Sequence, residues 1–208
     1  MAELKVVPSR TALVNVDLQN CFVENSPVAA PNGIEVVERV NTLAAKCRAA
    51  GILVIHARHV LRRDGSNAGI LAEVPPIQQG MINQGAESAA FHRRLAIADK
   101  DIILDKPRFG AFHGTDLELL LRSRGIDTII VTGISTSICC ETTAREAAVR
   151  DFHVLFVDDA TATFAIGDLS AEMIQKVTCA NIGFLFGKVV LIDELTRAIQ
   201  VASHATAH

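Results

Sequence analysis

The chain has 208 residues and a mass of 22.3 kDa; half of its residues are hydrophobic and 21% are charged. A formal net charge of -3 gives no reason to expect nucleic acid as a partner, no basic run indicates a membrane surface, and no apolar stretch reaches the roughly 18 residues of a membrane span. The five cysteines lack CxxC spacing and no signal peptide is visible, so we expect reduced thiols and a cytoplasmic location.

Six short apolar runs alternate with helical patterns along the chain. Runs as rich in branched residues as these are typical of strands that are buried on both faces of a parallel sheet. The predicted strands span 12–16, 52–55, 102–104, 128–131, 154–157 and 189–192. The pattern indicates one α/β domain over residues 1–208, a three-layer αβα architecture with a six-stranded, mostly parallel, doubly wound sheet.

Helices are predicted between these strands. The first follows the apolar spacing of 34–44 and stops at Gly51. A capping box from Thr115 to Glu118 predicts another helix, which ends at Gly125. The last two span 171–182 and 194–202, and Asp193 is expected to cap the second of them.

Residues 60–85 interrupt the alternation. They contain Pro75-Pro76 and several glycines and show no sustained hydrophobic period. A segment this long in a compact domain is typical of a lid, a binding loop or an oligomer contact, and disorder is the alternative.

Cys139 lies just after the fourth predicted strand, where Gly133 and three hydroxyl-bearing residues lead into a helix-competent stretch. If Thr136 caps that helix, Cys139 falls in its first turn. Unpaired backbone N–H groups and the helix dipole favour a thiolate near neutral pH at such a position. The pattern indicates a nucleophile; the alternative is a small buried side chain, which is also how we interpret Cys140.

In an open parallel sheet, ligands bind beyond the carboxyl ends of the strands, so residues that directly follow each strand are candidates for chemistry. They are Asp17, His56, Asp105, Lys106, Cys139, Asp158, Asp159 and Asp193. Cys139 can attack an amide carbonyl, and Asp17 can carry the proton that the thiol loses and the leaving nitrogen gains. The ammonium of Lys106 can stabilise the ionised forms of the Cys139 thiol and the Asp17 carboxyl group and can orient both groups.

These candidates have structural alternatives. Asp17 is equally typical of a turn cap, and Lys106 alone is typical of a solvated surface. Asp159 is more typical of a cap or loop residue than of catalysis, and His56 of a structural hydrogen bond.

Seven segments spread over nearly the whole chain carry a family resemblance: 14–20, 58–60, 64–65, 106–112, 115–118, 133–147 and 158–160. They resemble the isochorismatase-like cysteine hydrolases, which include nicotinamidases and hydrolases of N-carbamoylsarcosine, ureidoacrylate and biuret. The resemblance implies that Asp17 is the general acid/base, Lys106 its electrostatic partner and Cys139 the nucleophile. It also implies a cis peptide bond at Ile134–Ser135 that orients the backbone N–H groups of an oxyanion hole. We predict that the backbone of Ile134, Ser135 and Cys139 forms this oxyanion hole.

Two departures from the family narrow the chemistry. Isochorismatases proper cleave a vinyl ether and lack a cysteine here, so Cys139 favours amide or ureide chemistry. Nicotinamidases use an Asp-x-His pair in a metal site, whereas this chain reads His56-Ala-Arg-His59, a weak metal signal. We therefore predict no metal and no cofactor, and nicotinamide is less favoured as a substrate.

The substrate-binding residues are predicted from their proximity in sequence to the catalytic candidates. Phe22, Phe109 and Phe112 are expected to form apolar walls of the pocket, and packing in the core is the alternative for them. Thr136 is also predicted to contact the substrate. Arg58 or Arg108 is predicted to bind a carboxylate of the substrate through its guanidinium. Residues 106–145 most resemble the ureidoacrylate and N-carbamoyl branch, which implies a small ureido or amide acid.

The sequence thus predicts a metal-independent cysteine hydrolase that cleaves a C–N bond of a small amide or N-carbamoyl acid through a thioester. The alternatives are a non-enzymatic binding protein on the same fold, a nicotinamidase-like amidase, and a redox protein that uses the adjacent Cys139 and Cys140. We expect a homo-oligomer, a dimer or tetramer, because doubly wound domains of this size often bury helices between subunits.

Overall fold

Six parallel strands form the centre of the protein. The computed structural model describes residues 4–205. The strands within them are β1 (Thr11–Val16), β2 (Leu53–His59), β3 (Ile102–Lys106), β4 (Thr128–Ile134), β5 (His153–Ala162) and β6 (Lys188–Val190). They are hydrogen-bonded in the order β3-β2-β1-β4-β5-β6, and every pair is parallel. The predicted α/β class and all six predicted strands are confirmed.

Helices connect the strands. They are α1 (Asn20–Val23), α2 (Gly33–Ala49), α3 (Pro75–Gln78), α4 (Leu117–Ser123), α5 (Glu141–Ala148), α6 (Ala171–Asn181) and α7 (Ile192–Ala205). Single π-helical turns at Thr136–Cys140 and Ile182–Phe186 precede α5 and follow α6. Within the described chain, no helix combines the length and the apolar character that crossing a bilayer requires.

The sheet separates two hydrophobic cores. Because successive side chains of a strand point to opposite faces, Leu13 and Val14 of β1 lie in different cores. Helices α2 and α7 cover the first core, and helices α4 and α5 cover the second. Both faces of the sheet are therefore buried, which explains the nearly continuous apolar runs in the sequence.

The strand order reverses between β1 and β4, and the two strand ends approach each other closely there. Gly133 has φ +119°, and a Cβ atom at this residue would lie 1.9 Å from the carbonyl oxygen of Val16. Only glycine fits this approach. Asp17, which follows β1, also has a positive φ of +52°, and its N–H donates to the carbonyl of Ala57 at 2.8 Å. The reversal forms the crevice in which doubly wound folds bind ligands.

The predicted start of the last helix is wrong. The final strand ends at Val190 and α7 begins at Ile192, because the carboxylate of Asp159 accepts a hydrogen bond from the N–H of Ile192 at 2.9 Å. Asp193 therefore lies in the first turn of α7 instead of capping it.

The capping box before α4 does not form as predicted. The helix begins at Leu117, whose N–H donates to the Thr115 hydroxyl at 3.2 Å. The carboxylate of Glu118 pairs with Arg122 and Arg150 and does not reach back to the helix start. The predicted end of this helix before Gly125 is confirmed, with Gly125 at φ +67°.

The 60–85 segment is folded against the body, so the alternative of disorder is wrong. Its two ends are joined by a hydrogen bond from the N–H of Leu61 to the carbonyl of Ile82 at 2.9 Å. Both residues are buried in a small core with Cys21 and Ala68. The segment contains a 3-10 turn, Gly69–Glu73, and α3.

Candidate active site

Lys106 and Asp17 form a fully buried ion pair at the crevice. The Nζ atom of Lys106 donates to Oδ2 of Asp17 at 2.8 Å, and both side chains are 0% exposed. Lys106 also donates to the carbonyls of Arg108, at 3.1 Å, and Phe109, at 2.9 Å. All three ammonium hydrogens are thus used, and the alternative of a solvated surface lysine is wrong.

Cys139 faces this ion pair from the other side of the crevice. Its sulfur, a carboxylate oxygen of Asp17 and a ring nitrogen of His59 all lie within 4.8 Å of one another. The thiol is 5% exposed. Oδ1 of Asp17 is buried and has no hydrogen-bond partner among the described residues. The ends of β1, β2, β3 and β4 therefore bring a thiol, an imidazole, an ammonium and a carboxylate together.

The turn that carries Cys139 is a π-helical turn, a feature often found at functional sites. The N–H of Cys140 donates to the carbonyl of Ser135 at 3.0 Å. Ser135 occupies the N-cap position in an extended conformation, so the predicted cap at Thr136 is wrong. The Thr136 hydroxyl instead donates to the side chain of Gln175 on α6. The Ile134–Ser135 peptide bond is cis, at the position that the family resemblance implies.

The turn that carries Cys139 is tied to the segment that follows Lys106. The hydroxyl of Thr143 on α5 donates to the carbonyl of Cys139 at 2.7 Å and accepts from the N–H of Ala111 at 3.1 Å. The carboxylate of Glu146 accepts from the N–H of Phe112 at 3.0 Å. These bonds fix the segment after β3 against α5, so that Lys106 and Cys139 keep their relative positions.

Burial sets the protonation of the site. Burial raises the pKa of Cys139 well above its usual value, and the nearby charge of Asp17 raises it further, although Lys106 opposes both. The expectation of a thiolate near neutral pH is therefore wrong, because the loss of solvation outweighs the helix start. Cys139 is a thiol in the resting site.

Asp17 and Lys106 respond to burial differently. Burial also raises the pKa of Asp17, with the Lys106 ammonium opposing the change. Burial alone lowers the pKa of Lys106, but the negative charge of Asp17 and its hydrogen bond raise it above its usual value. Lys106 thus stays cationic, and its charge offsets the negative charge of the neighbouring Asp17 carboxylate.

A cavity of about 210 Å³ opens on the sulfur of Cys139. Its polar lining residues are His59, Ser135 and Cys139. One set of apolar lining residues comes from the 60–85 segment: Val74, Pro76, Ile77, Met81 and Ile82. The other set comes from the body of the fold: Phe22, Val28, Phe109, Ile138 and Phe164. The 60–85 segment therefore forms one wall of the cavity.

The structure brings two of the five predicted substrate-binding residues to this cavity, Phe22 and Phe109. Phe112 is buried in the second core, where its ring packs against Phe152 at 5.7 Å between centroids. The guanidinium of Arg58 pairs with Asp105 at 2.5 Å. Thr136 is engaged with α6, as described above. These three side chains do not line the cavity.

Two other charged candidates also have structural partners. Arg108 donates to the carbonyl of Asn67 at 3.0 Å and is not a lining residue. His56 lies between Asn15, at 3.3 Å, and Asp101, at 3.1 Å, as expected for a structural hydrogen bond.

The sequence reasoning considered His59 only as part of a weak metal signal and missed its place beside Asp17 and Cys139. The predicted second strand ends at Ile55, but β2 extends to His59, which lies beside Lys106 of β3 in the parallel register. Burial, followed by the charge of Lys106, lowers the pKa of His59 to about 3, so its ring is neutral near pH 7. Nε2 of His59 is buried without a partner among the described residues. The signal was available as an alternation of apolar and polar residues continuing past Ile55.

Asp17, His59 and Cys139 could each offer one ligand atom to a metal ion. The Lys106 ammonium lies 2.8 Å from the same carboxylate. A divalent cation there would be repelled by this buried charge, which cannot move away because it is held by three hydrogen bonds. The donor set therefore fits a metal poorly.

Known proteins resemble the chain in both sequence and structure. A family model described as "Isochorismatase domain" matches residues 11–184. Ureidoacrylate amidohydrolase RutB of Klebsiella pneumoniae is 27% identical over 220 aligned positions, which cover 96% of this chain and 91% of the relative. Nicotinamidase 3 of Arabidopsis thaliana is 32% identical, and the match covers 90% of this chain and 88% of the relative.

A solved structure is also similar to this chain. The crystal structure of a cysteine hydrolase from Pseudomonas syringae pv. phaseolicola superposes with a TM-score of 0.91 at 33% identity, covering 97% of this chain and 98% of that one. Together with the family model, which spans most of the sheet and the crevice, these matches show that the chain belongs to the isochorismatase family.

Proposed function

We propose that this isochorismatase-family hydrolase cleaves the C–N bond of a small amide or ureide through a covalent thioester on Cys139. The observation that carries the proposal is the buried Asp17–Lys106 ion pair beside the Cys139 sulfur, at the end of a small cavity. The amidohydrolase and the nicotinamidase among the relatives support the class of reaction.

In the first half of the reaction, Asp17 removes the proton of the Cys139 thiol while the sulfur attacks the substrate carbonyl. The resulting tetrahedral intermediate carries a negative oxygen, which backbone N–H groups at the Ile134–Ser135 bond and at Cys139 stabilise. Asp17 then gives its proton to the leaving nitrogen, the C–N bond breaks, and ammonia or an amine departs. The acyl group remains on the sulfur as a thioester.

In the second half, Asp17 takes a proton from water as the water attacks the thioester. The C–S bond breaks, the thiol regains its proton, and the acid is released. Lys106 stays cationic throughout and offsets the negative charge, whether that charge is on Asp17 or on the sulfur. Each turnover consumes one water and restores the starting protonation.

The proposal is tested by replacing the nucleophile. Cys139→Ser and Cys139→Ala variants are expected to lose ammonia release from small amides by at least about 1000-fold, because no other cysteine of the described residues lines the cavity. The matched control is Cys179→Ser, at a half-buried cysteine on α6, with folding of each variant checked by circular dichroism. A folded Cys139→Ala variant with unchanged turnover would overturn the proposal.

We also propose that the protein is a cytoplasmic homo-oligomer. The turn after α6 exposes large apolar side chains, with Phe184 87% and Leu185 72% exposed. Met173 and Val177 on α6 are also exposed. An apolar surface of this kind is typical of a contact between subunits, and a second copy of the chain is the partner that we propose for it.

A further inference from the structure

The cavity has a polar end and an apolar remainder. Cys139, Ser135 and His59 are its polar lining residues, and the others are aliphatic, aromatic or proline side chains. The reacting carbonyl must lie at the polar end, against the sulfur. The rest of a bound substrate therefore contacts hydrocarbon from the 60–85 segment and from the body of the fold.

Among the described residues, no lysine or arginine side chain lines this cavity. Lys106 lies beneath the sulfur, but its three hydrogens are taken by Asp17 and two backbone carbonyls. Arg108 is bound to backbone carbonyls, and Arg58 is paired with Asp105. His59 is neutral near pH 7, because its pKa is lowered to about 3 by burial.

We propose that the substrate is uncharged: a primary carboxamide or an alkylurea with a branched or cyclic apolar group. This inference rests on the proposed amidohydrolase function and names its substrate class. It replaces the expectation of a ureido or amide acid, which came from the family resemblance. A cavity of about 210 Å³ admits roughly seven non-hydrogen atoms, if each takes about the 30 Å³ of a liquid water molecule.

The unbonded Nε2 of His59 supports a substrate whose amide or urea group lies at the polar end of the cavity. It is a buried polar atom without a partner among the described residues, close to the sulfur. A neutral imidazole can exchange a hydrogen bond with the amide or urea group of the substrate. That bond would satisfy the orphaned nitrogen and orient the carbonyl towards Cys139.

The experiment compares two pairs of compounds of equal size. The carboxamide pair is 4-methylpentanamide and succinamate. The two differ only at one end, where 4-methylpentanamide has an isopropyl group and succinamate has a carboxylate. The urea pair is isopentylurea and 3-ureidopropionate, which differ in the same way. We expect the uncharged member of the preferred pair to have a kcat/KM at least about 100-fold higher, because a carboxylate loses its hydration without gaining a partner. A higher kcat/KM for the charged members would overturn the substrate class and leave the amidohydrolase proposal standing.

Binding to the Cys139→Ala variant separates the substrate class from catalysis. Calorimetry with the same four compounds is expected to show tighter binding of the uncharged members. If they bind tighter and wild-type protein releases no ammonia, the proposed function fails while the cavity preference holds. If the charged members bind tighter, or none of the four binds, the inference is overturned.

A charge added to the cavity wall provides a second test. Val74 lines the cavity and is 42% exposed, so Val74→Arg can place a guanidinium there without burying it fully. We expect this variant to shift the ratio of kcat/KM values towards succinamate by at least about tenfold. Val149→Arg, at an exposed valine after α5, is the matched control and should leave the ratio unchanged. An unchanged ratio in folded Val74→Arg contradicts the assignment of this wall to the substrate.

Discussion

At the scale of single residues, the chemistry of the site depends on how burial and the charge of Lys106 affect the pKa values of Asp17 and Cys139. Cys139 and Asp17 both resist ionisation because they are buried, and the fixed charge of Lys106 stabilises one negative charge between them. In the proposed mechanism, Cys139 is therefore activated by transfer of its proton to the neighbouring carboxylate of Asp17. A lowered thiol pKa at a helix start, which the sequence suggested, is not needed.

The first prediction concerns pH. Asp17 accepts the thiol proton only when it is ionised, so kcat/KM falls as the pH falls below the pKa of Asp17. Since burial raises this pKa, we expect the midpoint of the acidic limb above the usual aspartate value of about 4. His59 cannot cause this limb, because it titrates at about 3. A midpoint at or below 4 in folded protein would contradict the assignment.

The second prediction concerns the ion pair. Lys106→Met leaves the buried Asp17 without its counter-charge, and we expect it to lower the free energy of unfolding by about 3–5 kcal/mol in urea titrations near pH 7. Combining it with Asp17→Asn removes both charges and should restore much of this loss. A single substitution that costs less than about 1 kcal/mol would show that the pair is not buried as described.

At the scale of elements, Gly133 sets the distance between the ends of β1 and β4. The third prediction is that Gly133→Ala displaces the Cys139 turn, because its Cβ would lie 1.9 Å from the carbonyl oxygen of Val16. We expect a loss of stability of several times the cost of the control, Gly125→Ala, together with a large loss of kcat. Gly125 also has a positive φ but has nothing within 4 Å of a Cβ, so its replacement should cost about 1 kcal/mol. Equal costs for both variants would contradict this account of the strand ends.

The elements also show what the sequence could and could not predict. The six strands were predictable because both faces of the sheet are buried and their runs are continuous. Asp17, Lys106 and Cys139 were among the eight candidates that follow or end a strand, and the family resemblance singled them out. The cavity wall in the 60–85 segment was not, since its apolar residues have no period and are brought together only by tertiary contacts.

The position of Arg58 was unpredictable for a related reason. Its partner, Asp105, lies opposite it in the register of β2 and β3, and that register is a property of the folded sheet. In the observed register, the guanidinium of Arg58 forms an ion pair with the carboxylate of Asp105 and not with a carboxylate of the substrate.

At the scale of the whole molecule, the apolar surface near the end of α6 leads to the fourth prediction. Phe184→Lys should shift the protein to a smaller species in size-exclusion chromatography with light scattering, because it places a charge in the proposed contact. Leu119→Lys, at a leucine of α4 that is 72% exposed, is the matched control and should leave the mass unchanged. A monomeric wild-type protein, or an unchanged mass for Phe184→Lys, would contradict the proposed contact.

The central claim is that the sulfur of Cys139 forms a thioester during turnover. The most direct measurement is rapid acid quenching of wild-type protein with an amide that it hydrolyses, followed by intact-mass spectrometry and peptide mapping. We predict a mass increase equal to the acyl group on the peptide that contains Cys139, at an occupancy that rises before steady-state ammonia release. Turnover with an unmodified Cys139 at every quench time, or an acyl group on another residue, would contradict the account.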